Sequence, residues 1–303
     1  RVWRGSEILI MEAVSSSDSY STSCSIDSNS TPGEKLTLAS FSVIQELAHG
    51  HGDVRIYLVE GESQVKEVLK TSGSSLEREG RMMEKVSGRN IVRLIGRGED
   101  ERFGCWLVME WCESGDLFRL VKKHGSFIEK VVRTISSQLV GALQTCHNAN
   151  VAHLDFKLEN CYVCLDGTIK LGDFGHARKN SSTLKNSKAG TLQYQAPEIR
   201  RKQPYDGCVA DVFSLGVCVF ILLFGRRPWK CAADEDPHFQ LYLKRREEFW
   251  RRQMTPAVSQ GARCFLESLL TVDPYERPQL DEVRSHPWLK GPKGLPEWVS
   301  LLT

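Results

Sequence analysis

The sequence has no excess of charge of either sign, since 40 Lys and Arg residues stand against 38 Asp and Glu residues. A net charge of +2 gives no electrostatic reason to expect nucleic acid or an anionic membrane as a partner. Long hydrophobic runs are missing as well. The longest run, VFSLGVCVFILLF at 212–224, falls short of the ~20 residues that span a bilayer. We therefore expect a buried core helix at this position.

A secreted type of disulfide framework is also missing. The ten cysteines are irregularly spaced, and several lie inside apolar patterns, as Cys164 does in YVCL and Cys218 in VCVF. Free cysteine in such a pattern behaves as a small hydrophobic residue. We therefore expect reduced thiols and a cytoplasmic location, that is, a reducing intracellular compartment.

The residues that are present divide the chain into four segments. Residues 1–37 include a Ser-rich stretch of small polar residues, which predicts a flexible segment. Residues 38–113 contain short strand-like runs and one helix, residues 114–290 are mostly helical in pattern, and 291–303 form a tail. The prediction is an α+β fold with a small β-rich lobe, a larger helical lobe and a ligand-binding cleft between them.

Three motifs follow one another in the second half: HLDFKLEN at 153–160, DFG at 173–175 and APE at 196–198. Their order and spacing resemble those of the eukaryotic protein kinase family, and the resemblance extends over about residues 38–290. It continues in ADVFSLGV at 210–217 and DPYERP at 273–278. The resemblance implies a bilobal kinase fold that transfers the γ-phosphoryl group of ATP to protein substrates.

The resemblance also implies structural roles for three charged residues. Asp211 in ADVFSLGV is expected to accept hydrogen bonds from the backbone of the HLDFKLEN loop. Arg277 in DPYERP is expected to pair with Glu198 of the APE motif.

The residue types in these motifs fit phosphoryl transfer, which needs alignment and charge neutralisation more than covalent chemistry. Asp155 is the carboxylate expected beside the acceptor hydroxyl, and Lys157 is the cation expected to steady the transferred group. Asn160 and Asp173 offer hard oxygen ligands of the kind that Mg²⁺ prefers. By resemblance, Lys157 together with Thr191 marks the Ser/Thr branch of the family.

Two motifs depart from the family pattern. Leu154 replaces an Arg that receives the phosphate of a phosphorylated activation loop, so activation is not expected to depend on that pairing. Ser187 is a phosphorylation candidate by position, with a plain hydrophilic loop as the alternative. The glycine-rich loop is degenerate, because only Gly50 and Gly52 match it, and looser ATP binding is the expected consequence.

The lysine expected at the α and β phosphates has two candidates in QVKEVLK, Lys66 and Lys70, because residues on one face of a strand recur every two positions. The expected glutamate partner in the following helix is Glu79. Since only nine residues separate Lys70 from Glu79, the spacing favours Lys66.

The segment LVMEWCESGD resembles the family's hinge. By position, Glu110 and Cys112 offer backbone groups to adenine, and Asp116 reaches the ribose or a substrate side chain. Asp116 and Glu159 match positions at which some kinases hold a basic residue upstream of the acceptor, so we expect such a preference here.

The sequence thus predicts a Ser/Thr protein kinase that uses ATP and Mg²⁺. The expected partners are protein substrates and a regulatory protein, with neither nucleic acid nor membrane among them. One alternative is a pseudokinase acting as a scaffold or allosteric binding module, which the degenerate glycine loop favours. A second alternative is an enzyme of the same fold acting on small molecules, which the APE and DPYERP motifs disfavour.

Overall fold

The structure is a computed structural model that describes residues 38–50, 52–101, 103–180, 184, 190–253 and 258–293. The predicted flexible segment 1–37, most of the predicted tail 291–303 and the phosphorylation candidate Ser187 lie outside the described residues. The chain divides into two compact units, the first comprising Arg1–Glu77 and Leu94–Trp111 and the second comprising Arg78–Arg93 and Cys112–Thr303.

The first unit contains an antiparallel five-stranded sheet in the order β1-β2-β3-β5-β4. Its buried core consists of Val59, Leu69, Trp106 and Val108. Valine and tryptophan, which make up three of these four residues and are β-branched or aromatic, suit a pleated surface packed on one face. The strands are β1 (Phe41–His49), β2 (Arg55–Gly61), β3 (Lys66–Ser72), β4 (Leu94–Asp100) and β5 (Gly104–Glu110).

The second unit is mostly helical, and helix α1 begins at the last residue of the first unit. Together with the β-sheet unit it confirms the predicted α+β fold. We predicted a division after residue 113, whereas the structure groups Arg78–Arg93, which includes most of α1, with the helical unit. The described residues form the helices α1 (Glu77–Lys85), α2 (Leu117–His124), α3 (Glu129–Asn148), α4 (Pro197–Arg200), α5 (Gly207–Phe224), α6 (Pro237–Lys244), α7 (Arg246–Arg251), α8 (Gln260–Leu269), α9 (Leu280–Ser285) and α10 (Pro287–Lys290).

Helix α5 contains the long apolar run and lies at the centre of the helical unit. It is long and apolar enough to cross a membrane by length and composition, but 94% of it is buried inside the protein, which confirms the predicted core helix. The Asp206 carboxylate caps its start by accepting hydrogen bonds from the amides of Cys208 and Val209. Gly225 ends it with a left-handed φ of 66°, a conformation that costs glycine little.

Short strands hold the loops that carry the sequence motifs. Strand β6 pairs with β9 and strand β7 with β8, both antiparallel. The HLDFKLEN loop therefore lies between β6 and β7, and the DFG segment lies between β8 and β9. The bounds are β6 (Val151–Ala152), β7 (Cys161–Val163), β8 (Ile169–Leu171) and β9 (Arg178–Lys179).

Candidate active site

One buried carboxylate fixes the start of the HLDFKLEN loop on helix α5. Asp211 accepts hydrogen bonds from the backbone amides of His153 and Leu154, both at 2.8 Å. Its Oδ2 also lies 3.1 Å from the His147 ring nitrogen Nε2. Asp211 is only 1% exposed, so these bonds satisfy a charge that would otherwise be buried at a large cost. The expected role of Asp211 is confirmed.

Leu154 adopts a left-handed φ of 64° and is buried in apolar surroundings. The Leu154 side chain has room because residue 207 is a glycine. A Cβ at Gly207 would lie 3.1 Å from Leu154 Cδ2 and 3.0 Å from Leu184 Cδ1, and it would collide with Ala152 Cβ. The position at which the family pattern has a cation is therefore filled by aliphatic packing.

The Asp155 carboxylate is held by three neighbouring side chains and one amide. Its Oδ1 accepts from the Thr191 amide at 2.7 Å and from the Thr191 hydroxyl at 2.8 Å. Its Oδ2 accepts from Lys157 Nζ at 2.7 Å and from Asn160 Nδ2 at 3.3 Å. The Lys157 ammonium also contacts Thr191 Oγ1 at 2.9 Å. The structure thus brings Asp155, Lys157 and Asn160 together, and it shows Thr191 as a further hydrogen-bond donor to the Asp155 carboxylate.

Gly190 allows Thr191 to reach this carboxylate. Its φ is 87°, and a Cβ at this position would collide with the carbonyl oxygen of Leu154. A side chain at position 190 would be strained by the positive φ and would clash with the Leu154 carbonyl oxygen. Any substitution of Gly190 would therefore displace the backbone that carries the Thr191 amide.

The expected metal ligands Asn160 and Asp173 lie on adjoining backbone segments, because the Gly172 amide donates to the Asn160 carbonyl oxygen at 2.9 Å. Asn160 Nδ2 also donates to the Asp155 carbonyl oxygen at 2.9 Å, which leaves the amide oxygen as the group that offers lone pairs elsewhere. Asp173 has a left-handed φ of 54°, an uncommon conformation of the kind found at functional sites.

Carboxylates also surround Gly175. A Cβ at Gly175 would lie 3.3 Å from Asp173 Oδ1 and 3.4 Å from Glu79 Oε2, so the two carboxylates flank one open backbone position.

The described residues contain no cluster of three or more His, Cys, Asp or Glu that would form a complete metal site. A set of one carboxylate and one amide oxygen fits Mg²⁺ shared with phosphate oxygens, because that ion is usually held by few protein ligands.

Helix α1 is tied to the DFG segment. Arg78 Nη2 donates to the carbonyl oxygen of Gly175 at 3.0 Å, and Glu79, one residue further on, is buried. The Phe174 ring packs against the ring of His153 with centroids 4.9 Å apart, and His153 Nε2 lies 3.0 Å from the Gly172 carbonyl oxygen. The loop that carries Asp155 and the segment that carries Asp173 therefore form one packed assembly.

The two lysine candidates differ sharply in burial. Lys66 is the first residue of β3 and is exposed, whereas Lys70 lies inside the strand, pairs in register with Leu107 and is only 9% exposed. The spacing argument that favoured Lys66 is wrong, because β3 ends at Ser72 and α1 begins at Glu77, so four residues suffice for the connection. The first unit thus presents Lys70, not Lys66, as the buried cation of β3.

Both predicted glycines lie in the connection between β1 and β2. The Gly50 amide donates to the Val54 carbonyl oxygen at 2.8 Å, and a Cβ at Gly50 would lie 2.8 Å from Val54 Cγ1. Gly52 has a φ of 72° with open space beside it, so its requirement is conformational and not steric.

The hinge-like residues occupy different settings. Glu110 is the last residue of β5. Asp116 caps helix α2 by accepting from the Arg119 amide at 2.8 Å, and burial raises the pKa of its carboxyl. Cys112 is buried, and a hydrogen bond from its thiol lowers the pKa of Cys164, which no sequence pattern had indicated.

The ion pair expected between Arg277 and Glu198 is confirmed. Arg277 Nη1 and Nη2 donate to the two Glu198 carboxylate oxygens at 2.7 and 3.0 Å, and both side chains are buried. Two parallel bonds of this kind fix the APE helix α4 relative to the segment that follows α8.

Comparison with known proteins gives the family of the chain. A family model described as "Protein kinase domain" matches residues 55–289. The chain is 34% identical over 215 residues to an Aurora kinase of Dictyostelium discoideum, an alignment that covers 71% of this chain and 54% of that protein. It is 35% identical over 207 residues to the serine/threonine-protein kinase chk1 of Schizosaccharomyces pombe, covering 66% and 40%. The chain belongs to the protein kinase family.

A third relative is a calcium/calmodulin-dependent protein kinase type 1 of Caenorhabditis elegans, 32% identical over 233 residues, with 75% of this chain and 65% of that protein covered. The chain spans about half or less of the length of the Aurora and chk1 relatives. These relatives are all named kinases, and nothing in the comparisons favours the pseudokinase alternative.

Proposed function

We propose that the protein transfers the γ-phosphoryl group of ATP to Ser or Thr residues of protein substrates. The observation that carries this proposal is the Asp155 carboxylate, fixed by Thr191, Lys157 and Asn160 within hydrogen-bonding distance. A scaffold has no chemical need for this arrangement, whereas phosphoryl transfer depends on positioning.

Asp155 accepts the proton of the acceptor hydroxyl as that oxygen bonds to the γ-phosphorus of ATP, while the bond from this phosphorus to the β–γ bridging oxygen breaks and ADP leaves. Lys157, whose ammonium lies 2.7 Å from Asp155 Oδ2, keeps a positive charge beside the transferred group. Thr191 contributes an amide and a hydroxyl to the same carboxylate, so the acid is oriented before the substrate arrives. This preorganisation lowers the barrier because no reorganisation is needed during the reaction.

Mg²⁺ is the proposed metal, held by the Asn160 amide oxygen and the Asp173 carboxylate. When bound, it neutralises charge on the phosphate oxygens of ATP. The hydrogen bonds of Asn160 Nδ2 to Asp155 support this assignment, because they leave its oxygen as the free ligand atom.

Candidate nucleotide-contacting residues are proposed in each unit separately. In the first unit, Lys70 replaces Lys66 as the proposed phosphate-contacting lysine, since Lys70 is buried inside β3 whereas Lys66 is exposed at its start. Gly50, Gly52 and Glu110 retain their proposed contacts with phosphate and adenine. In the second unit the proposed residues are Glu79, Cys112 and Asp116.

We also propose a cytoplasmic location, protein substrates and a regulatory protein partner, without nucleic acid or membrane binding. The nine cysteines in the described part of the chain are free, which supports a reducing compartment.

The test compares wild-type protein with Asp155→Asn for transfer of radiolabelled phosphate from ATP with Mg²⁺ to a protein substrate. The matched control is Asp166→Asn, the same chemical change in the exposed turn between β7 and β8. We expect Asp155→Asn to lower kcat by at least about 100-fold and the control to retain activity, because general-base catalysis contributes that much. Absence of transfer by the wild type and both variants would favour the pseudokinase alternative.

A further inference from the structure

The Glu159 side chain is already occupied within the protein. Glu159 lies four residues after Asp155, in the short helical turn Leu158–Asn160. Tyr194 Oη donates to its Oε2 at 2.8 Å, and the Arg227 guanidinium lies 3.8 Å from its Oε1. Both carboxylate oxygens therefore have partners on this chain.

Aromatic rings hold the Arg227 guanidinium in place. It lies 5.6 Å from the Phe118 ring centroid and 5.9 Å from that of Tyr194, both within the range of cation–π attraction. Tyr194 is itself buried, and its carbonyl oxygen accepts from Ser214 Oγ at 2.9 Å. The Arg227 side chain is only 16% exposed, so the pair differs from a mobile surface ion pair.

The second acid in this region is engaged as well. The Asp116 carboxylate caps helix α2 through the Arg119 amide, and its raised pKa reflects burial first and the nearby Glu159 charge among the lesser causes. Arg227 is thus the cation paired with Glu159, whereas the Asp116 carboxylate is occupied by the Arg119 amide.

We propose that Arg227 is a specificity-determining residue that fills the acidic subsite beside Asp155, so that the enzyme disfavours substrates with an arginine upstream of the acceptor. This inference rests on the proposed kinase activity. A substrate arginine would have to displace Arg227 from Glu159 and would meet a like charge a few ångströms away. The expected basic preference of Glu159 is thereby suppressed in this chain.

The test uses peptides with a single Ser acceptor that carry Arg or Ala at each upstream position, and the measured quantity is the ratio of kcat/KM for the Arg peptide over the Ala peptide. The wild type is expected to give a ratio at or below one at every position. Arg227→Met removes the guanidinium but keeps most of the side-chain volume, and should raise the ratio about tenfold at one position, the gain of one charge-assisted hydrogen bond. The matched control, Arg226→Met, changes the exposed neighbour and should leave the ratio unchanged.

Two further variants test whether the Glu159 carboxylate is the group that binds the substrate arginine. Glu159→Gln combined with Arg227→Met should abolish the gain, because the acceptor carboxylate is gone. Glu159→Gln alone should leave the wild-type ratio unchanged, and this result does not depend on the folding of the Arg227 variant.

A wild type that already prefers arginine would overturn the inference, as would an Arg227→Met ratio equal to that of Arg226→Met. In both cases the measured transfer would leave the proposed kinase activity intact. Failure of the wild type to phosphorylate any peptide or protein would instead overturn the proposed function and this inference together.

Discussion

Replacing Arg277 with Met should destabilise the helical unit strongly. The guanidinium donates two bonds to Glu198 at 2.7 and 3.0 Å, one to the Thr271 carbonyl oxygen at 2.9 Å and one to that of Val209 at 3.0 Å. It also lies 5.1 Å from the Phe213 ring centroid. Methionine fills part of the volume but makes none of these bonds, so the Glu198 carboxylate is left buried without a counter-charge.

Removing one partner of a buried ion pair costs about 3–5 kcal/mol. Each kcal/mol lowers the melting temperature of a domain of this size by about 2–4 °C. We therefore expect Arg277→Met to melt about 10 °C below the wild type. Adding Glu198→Gln removes the uncompensated charge and should restore part of that loss.

Thermal unfolding followed by circular dichroism measures these differences. The matched control is Arg245→Met, because Arg245 pairs with Glu248 at 3.1 Å while its side chain is 71% exposed. An exposed pair contributes little, so the control should melt with the wild type. Equal melting temperatures for Arg277→Met and the control would refute the reasoning, and so would a double variant no more stable than Arg277→Met alone.

Two further predictions concern the active-site region. Leu154→Arg should lower the free energy of unfolding by about 3 kcal/mol in chemical denaturation, because it places a charge at a buried position beside Gly207. Leu154→Met is the control, and equal stability of the two variants would contradict the account. Lys70→Met should weaken binding of a fluorescent ATP analogue at least about tenfold, while Lys66→Met should leave the binding unchanged. Weaker binding by the Lys66→Met variant alone would identify Lys66 as the phosphate-contacting residue.

The catalytic loop could be predicted from the sequence because its functional residues are close together along the chain. Asp155, Lys157 and Asn160 lie within six residues of one another, so their residue types and spacing can be recognised without knowledge of distant contacts. The buried helix α5 was predictable for a similar reason, since a continuous apolar run is incompatible with a solvated surface.

Other features depend on where elements end and which distant segments meet. Lys66 and Lys70 share one face of β3, and only the burial of the strand interior separates them. No sequence pattern indicated that Arg227 pairs with Glu159, because the pair forms only when the loop after α5 packs beside the catalytic loop. Leu154 was recognised as a departure, but the space for its buried side chain depends on the small size of Gly207, which is distant from it in the sequence.

The three bonds of Asp211 also determine how slowly the catalytic loop exchanges its amide hydrogens. The His153 and Leu154 amides are bonded to a carboxylate on the central helix α5, so exposing them to water requires that helix to separate from the loop. Their hydrogen exchange should follow the opening of the core and not the fast fluctuations usual for a loop. The two backbone amides that precede Asp155 are thus expected to exchange as slowly as amides of the protein interior, although they lie next to the reacting groups.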